Sequence, residues 1–202
     1  MRKELPRQFI HLSGILFVLL AQFIGSVVSI YFFMISFILI FWAWHIKSTI
    51  ENSENVISRL EHGFRDAVMK LERKNVKIPF TGAIWFYIGC GIAFFIFPLH
   101  IASAACIILS VGDAFSTIVG KRFGRKRIFG VKTFEGSIAF FISSLFAALL
   151  FVSIDIAIIG CLTAMVTEML LGHEKILKNP RTRWLNDNLL IPILAALVMF
   201  LV

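Results

Sequence analysis

The sequence is poor in charge. Asp, Glu, Lys and Arg make up 16% of its 202 residues, against roughly 25% in a typical soluble domain. Cysteine is scarce as well. Cys90, Cys106 and Cys161 each sit in an apolar run, with no CxxC and no nearby pair of histidines. That spacing argues against a disulfide scaffold or a thiolate metal site, and for three small buried hydrophobes. No Gly-x4-Gly-Lys-Ser/Thr occurs, so a nucleotide bound here is held without a P-loop. Neither an internal repeat nor a low-complexity tract is visible.

What the chain has instead is apolar surface. Hydrophobic residues make up 58% of it and phenylalanine alone supplies 22 positions. The mean hydropathy is +0.87. A soluble fold of ~150–200 residues buries only about 70% of its unfolded surface, too little to hide this much. The composition excludes an ordinary soluble domain and a disordered chain, and implies an all-α, polytopic integral membrane protein. A spanning helix needs ~20 largely apolar residues, with a range of ~17–25. Seven candidates fit, at 9–24, 27–46, 81–97, 99–119, 136–152, 154–171 and 189–202. Pro98 divides the third from the fourth, and Gly25-Ser26 the first from the second.

The basic residues follow this division. Arg2, Lys3 and Arg7 precede the first span. Seven more lie between the second and third, six between the fourth and fifth, and four between the sixth and seventh, which accounts for all 20. The three opposite turns carry none. By the positive-inside rule the N-terminus and every basic loop face the cytoplasm. The first span is long, lacks a clear cleavage site and is followed at once by another, so it reads as a span rather than a cleaved signal. Residues 1–202 form one membrane domain. Within it, 47–78 is the only long polar stretch, with apolar residues at helical spacing, and reads as an amphipathic cytoplasmic helix.

Acidic side chains within a bilayer cost ~2.5–3.5 kcal/mol each on insertion scales. Asp113 and Glu168 fall inside the expected spans. Asp113 lies among small and polar residues, Ser110, Gly112, Ser116 and Thr117, a poor lipid-facing surface. Just downstream, residues 120–136 hold six cations and four glycines in seventeen positions. Glycines let backbone N–H groups approach an anion, and cations neutralise it. An acid before this stretch and another after it, Glu135, suit a metal–polyphosphate site. Mg²⁺ is commonly held by one or two carboxylates together with phosphate oxygens. A third polar cluster, Asn186-Asp187-Asn188, opens the last span. There Asp187 or Asn188 caps the helix, or Asp187 adds a metal ligand.

These residues resemble a known group. Gly112-Asp113, Ser116, Val119-Gly120, Phe123-Gly124, Lys132-Thr133 and Glu135-Gly136 are similar to the signature of the CTP-dependent polyprenol kinases, which include dolichol and phytol kinases. The segment from Glu4 through Arg7 and His11 to Gly14 resembles that family's amino-terminal element, with Gln8 where the family has Lys. Glu168, Asp187-Asn188 and Pro192 resemble its carboxy-terminal one. The related phosphatidate cytidylyltransferases share the layout, but their second Asp and their Ser-Pro before the lysine are missing here, where Gly130-Val131 precedes Lys132.

The resemblance implies transfer of the γ-phosphoryl group of CTP to a membrane-borne isoprenoid or other lipid alcohol. It implies that Asp113, Glu135 and Lys132 are catalytic, that Asp113, Glu135 and Asp187 hold Mg²⁺, and that Gly120, Lys121, Arg122, Gly124, Arg125, Thr133 and Gly136 meet the phosphates. His11, Ser116, Glu168 and Asn188 complete the polar site. The expected partners are CTP and the lipid, with no nucleic acid. A lipid cytidylyltransferase making a CDP-lipid is the alternative. A small transporter with Asp113 and Glu168 in its pathway is a third reading, unsupported by any visible inverted repeat.

Overall fold

The computed structural model describes residues 5–49, 80–129, 132–171 and 186–202. Seven helices occupy these segments: α1 (Leu5–Ile24), α2 (Val28–Thr49), α3 (Thr81–Ile96), α4 (Leu99–Phe123), α5 (Phe134–Ala148), α6 (Ile154–Leu171) and α7 (Asp187–Leu201). Each coincides with an expected apolar span to within a few residues. Three stretches are long and apolar enough to cross a membrane: Ser13–His45, Leu99–Phe123 and Ile154–Leu171. Helices α3, α5 and α7 are apolar but shorter, at 16, 15 and 15 residues. Phe23, Phe37, Phe95 and Phe146 are exposed by 70% or more. So many bare aromatic rings suit lipid rather than water.

The purely helical expectation is corrected in one place. Strands β1 (Arg127–Phe129) and β2 (Lys132–Thr133) pair antiparallel between α4 and α5, with Arg127 opposite Thr133 and Phe129 opposite Lys132. Helix α4 stops because Gly124 turns to extended backbone while its N–H still bonds Gly120 O at 3.2 Å. A further helical turn would set Arg125 four residues from Lys121 and Lys126 four from Arg122, like-charge neighbours that disfavour it. The proposed amphipathic segment at 47–78 lies outside the described residues from position 50 onward. Residues 47–49 are the end of α2. The basic stretch at 172–185 also lies outside them.

Between α1 and α2 the chain makes a short 3-10 turn, Gly25–Val27, with Gly25 at φ +67°. Only glycine adopts that backbone without strain. The turn folds α2 back along α1, so the Phe17 and Phe32 rings lie 4.8 Å apart. A straight helix would put them roughly 22 Å apart.

Helix α4 is the centre of the bundle. Its apolar stretch is 78% buried, against 22% for Ser13–His45. Helix α1 runs antiparallel to it, with Gln22 Nε2 donating to Ser103 Oγ at 3.0 Å near one end and His11 meeting Asp113 near the other. Helix α5 crosses α4 at Gly120 and Gly136, where a Cβ on Gly136 would lie 3.3 Å from Gly120 Cα. Helix α7 lies parallel to α3, joined by Asn188 Nδ2 to Gly82 O at 3.0 Å and, at the far end, by Phe97 against Phe200. Antiparallel and parallel pairings together bring the starts of α1, α3, α5 and α7 and the ends of α4 and α6 to one end of the bundle. Lys121, Arg122, Arg125, Lys126, Arg127 and Lys132 are all at this end.

Candidate active site at the charged end of the bundle

Asp113, Ser116 and Gly120 stand at i, i+3 and i+7, one face of α4. Ser116 and Gly120 are small, so α5 and α6 approach closely there. Ser116 Oγ donates to Glu168 Oε1 on α6 at 2.8 Å, and Lys132 Nζ on β2 donates to the same oxygen at 2.6 Å. Glu168 is 1% exposed, whereas the Lys132 side chain keeps 21% of its surface open. On the other side of Asp113, His11 Nε2 lies 3.1 Å from Oδ2. The His11 ring is buried edge-on against Phe86, with centroids 5.1 Å apart. Four separate elements, α1, α4, β2 and α6, thus contribute to one polar cluster inside an apolar bundle.

Its electrostatics centre on Lys132. Burial alone pulls the ammonium down, but Glu168, Asp113 and Asp187 together outweigh it and hold the group above the usual lysine value. A buried charge survives only with partners of this kind. The hairpin is what delivers the lysine. Successive side chains of a strand point to opposite faces, and Lys132 turns inward to α6 while Arg127 on β1 is exposed.

Glu135 is elsewhere. It stands in the first turn of α5 and accepts the Lys126 backbone N–H at 3.4 Å. Its own backbone N–H, those of Arg125 and Lys126, and the Lys126 charge hold its carboxyl below the usual range. With Arg122, Phe123, Gly124 and Arg125 it lines an open depression of about 400 Å³. Glu135 thus faces this depression, whereas Asp113 faces His11. The acid that meets Lys132 is Glu168, 36 residues along the chain. Among the described residues no three His, Cys, Asp or Glu side chains gather as a metal cage. Asp113 and Asp187 are both close enough to act on Lys132.

The glycines and Thr133 make contacts of their own within the protein. Gly136 N–H bonds Thr133 Oγ1 at 3.2 Å, which caps α5, and Gly124 N–H bonds Gly120 O. Those two N–H groups are occupied inside the protein. Gly120 and Gly136 serve the close crossing of α4 and α5. Lys121, Arg122 and Arg125 are exposed where α4 ends, with the Arg122 guanidinium 5.5 Å from the Phe123 ring centre.

Asn188 is buried and ties α7 to α3. The cap of α7 is Asn186, whose side chain accepts the Asn188 N–H at 2.9 Å. An Asx residue directly before an apolar run is the signal that identifies such a cap. Phe123, which lines the depression, was marked in the sequence only as part of the Phe123-Gly124 element of the motif. All three cysteines are buried and free, as the apolar runs around them require.

The chain is 25% identical over 198 residues to an uncharacterized protein of Rickettsia prowazekii, across 94% of this chain and 90% of that one. It is 38% identical over 86 residues to the dolichol kinase of Saccharomyces cerevisiae, across 42% of this chain and 16% of that enzyme. No protein-family profile and no solved structure matches it. The relation to dolichol kinase is a partial similarity, over less than half of this chain and about a sixth of that enzyme's length.

Proposed function

We propose that the protein is a multi-pass membrane kinase that transfers the γ-phosphoryl group of CTP to the hydroxyl of a lipid alcohol of the dolichol, polyprenol, phytol or geranylgeraniol class. The observation that carries this reading is the buried cluster of His11, Asp113, Ser116, Lys132 and Glu168 at the end of an apolar bundle where Lys121, Arg122 and Arg125 lie. The partial similarity to a dolichol kinase and the motif around Asp113 and Lys132 support it.

The physics agrees. A long-chain alcohol stays in the bilayer with its hydroxyl at headgroup level, and the nucleotide comes from water. The positive-inside pattern supports a cytoplasmic charged end, the side from which CTP comes. Phosphoryl transfer is largely positioning and charge stabilisation. Lys132, partly open, contacts the phosphates, and Lys121, Arg122 and Arg125 draw the polyanion to the site. Magnesium arrives as part of the nucleotide substrate, with Asp113 and Asp187 as its protein carboxylates.

The test is purified protein in detergent with a panel of lipid alcohols and γ-labelled CTP or ATP. A kinase labels the lipid. A cytidylyltransferase, given a lipid phosphate, releases labelled pyrophosphate instead. Solute flux in proteoliposomes without nucleotide indicates a transporter. Asp113→Asn is expected to abolish lipid labelling while elution and thermal unfolding stay those of the parent. Full labelling by that variant ends the kinase reading as built on Asp113.

A further inference from the structure

Glu168 is held unevenly. Its Oε1 takes both the Lys132 ammonium and the Ser116 hydroxyl. Its Oε2 is buried and has no hydrogen-bond partner among the described residues. A carboxylate serving only to neutralise Lys132 places both oxygens, because an unsatisfied buried acceptor carries its full desolvation penalty. The oxygen is therefore suited to a donor that the described residues do not provide.

The position of Glu168 says which donor. It lies three residues, roughly 4.5 Å along the axis, from the end of α6. That helix is one of the stretches apolar and long enough to cross a membrane. Its opposite face carries Leu162, Val166 and Leu170, all exposed by 43% or more and spaced at i, i+4 and i+8. A lipid lying on that outer face reaches, near the end of α6, the same depth as Glu168, whose carboxylate lies on the inner face against α4. Lys132 bridges the two halves of the site. One of its three N–H donors is on Oε1, and its remaining exposure leaves others for a phosphate.

We infer that Glu168 Oε2 is the docking point of the acceptor hydroxyl and the base that takes its proton. This rests on the kinase reading above. In the transfer the hydroxyl oxygen forms a bond to the γ-phosphorus. The bond from that phosphorus to the β–γ bridging oxygen breaks, and CDP leaves with the electron pair. The hydroxyl proton passes to Oε2 and is released to water as the products depart. Glu168 is then a catalytic residue, while Ser116 is a positioning residue that fixes the carboxylate through Oε1.

The first measurement needs no nucleotide. Thermal-shift titrations in detergent compare geranylgeraniol with its methyl ether, which has the same tail and no hydroxyl proton. Wild-type protein is expected to bind the alcohol about tenfold more tightly, the size of one hydrogen bond to a charged acceptor. The preference is expected to vanish in Glu168→Gln, whose amide donates to either oxygen. The second measurement is turnover. Glu168→Gln is expected to lose at least about 100-fold in kcat, the low end of what a general base contributes, while its Kd for CTP changes less than threefold.

Equal binding of alcohol and ether by the wild type overturns the inference, and that result does not depend on any variant folding. So does a Glu168→Gln protein that keeps its turnover or loses CTP affinity alone. A wild type that prefers the alcohol but transfers no phosphoryl group supports the hydroxyl site and refutes the kinase. A wild type that labels lipid while Glu168→Gln does so equally well refutes the site and leaves the kinase.

Discussion

Two carboxylates at the charged end of the bundle meet positive charge in opposite ways. Glu168 is buried and takes an ammonium and a hydroxyl on one oxygen, at 2.6 and 2.8 Å. Glu135 faces an open depression and meets only backbone N–H groups and the Lys126 charge, the Lys126 N–H at 3.4 Å. Their places on their helices explain the difference. Glu135 stands in the first turn of α5, where the helix dipole favours a carboxylate even in water. Glu168 stands in the last turn of α6, against α4, where the dipole opposes it and only Lys132 and Ser116 make it tolerable. Glu135 is three positions from Lys132 in sequence and Glu168 thirty-six, yet the lysine reaches the distant one. The hairpin turns Lys132 into the bundle, and the first turn of α5 carries Glu135 outward.

The largest expected effect follows from that burial. Lys132→Met leaves Glu168 as an uncompensated buried charge. Losing one partner of a buried pair costs ~3–5 kcal/mol, and the partial exposure of Lys132 puts the loss near the lower figure. Denaturant unfolding in mild detergent measures it. Lys132→Met combined with Glu168→Gln is expected to recover most of the stability, because neither charge is then left alone. If Lys132→Met is as stable as the parent, the two acids are not different in kind.

A smaller effect is expected at the crossing that creates the buried region. A Cβ on Gly136 would meet Ser116 O and Thr133 Oγ1 at 3.0 Å and Gly120 Cα at 3.3 Å. Two of these neighbours are backbone and cannot rotate away. Gly136→Ala is expected to cost ~1–3 kcal/mol by overpacking. It also moves β2 and so weakens the Lys132–Glu168 contact. Glu135→Gln, in contrast, is expected to leave unfolding unchanged and to reduce turnover far less than Glu168→Gln. A Glu135→Gln protein as impaired as Glu168→Gln would remove the distinction between the two regions.

Much of this architecture was legible in the sequence. The seven apolar runs give the seven helices, because a hydrophobic stretch that long has little choice but to satisfy its backbone internally. Asp113 among small residues foretold a buried face, and α4 is the most buried of the apolar stretches. Glu168 inside a span foretold a partner. The identity of the partner was not legible. Sequence distance favoured Glu135 as the mate of this site, and nothing local announces that 127–129 pairs with 132–133. The glycines were ambiguous for a related reason. A glycine that admits a phosphate and a glycine that admits another helix look alike until Gly120 and Gly136 are seen facing each other.

The finest test of the comparison is pH. The ordinary lysine value is 10.5, and Lys132 sits above it in the folded protein. A raised value means that the contribution of the ammonium is complete below 10.5 and is lost only as pH climbs through the folded value. The stability difference between the parent and Lys132→Met is thus expected to stay level from neutrality up to 10.5 and to shrink beyond it. Glu135 behaves in the other sense. Its carboxyl is held below the ordinary 4.5, so its contribution is complete above 4.5 and fades as pH falls through the lower folded value. Melting temperature against pH for the parent, Lys132→Met and Glu135→Gln separates the two limbs. The lysine variant alters the alkaline limb and the glutamine variant only the acid one. A difference between the parent and Lys132→Met that already narrows as pH rises through neutrality would mean that Glu168, Asp113 and Asp187 do not hold the ammonium, and the buried region would lose the feature that sets it apart from the open one.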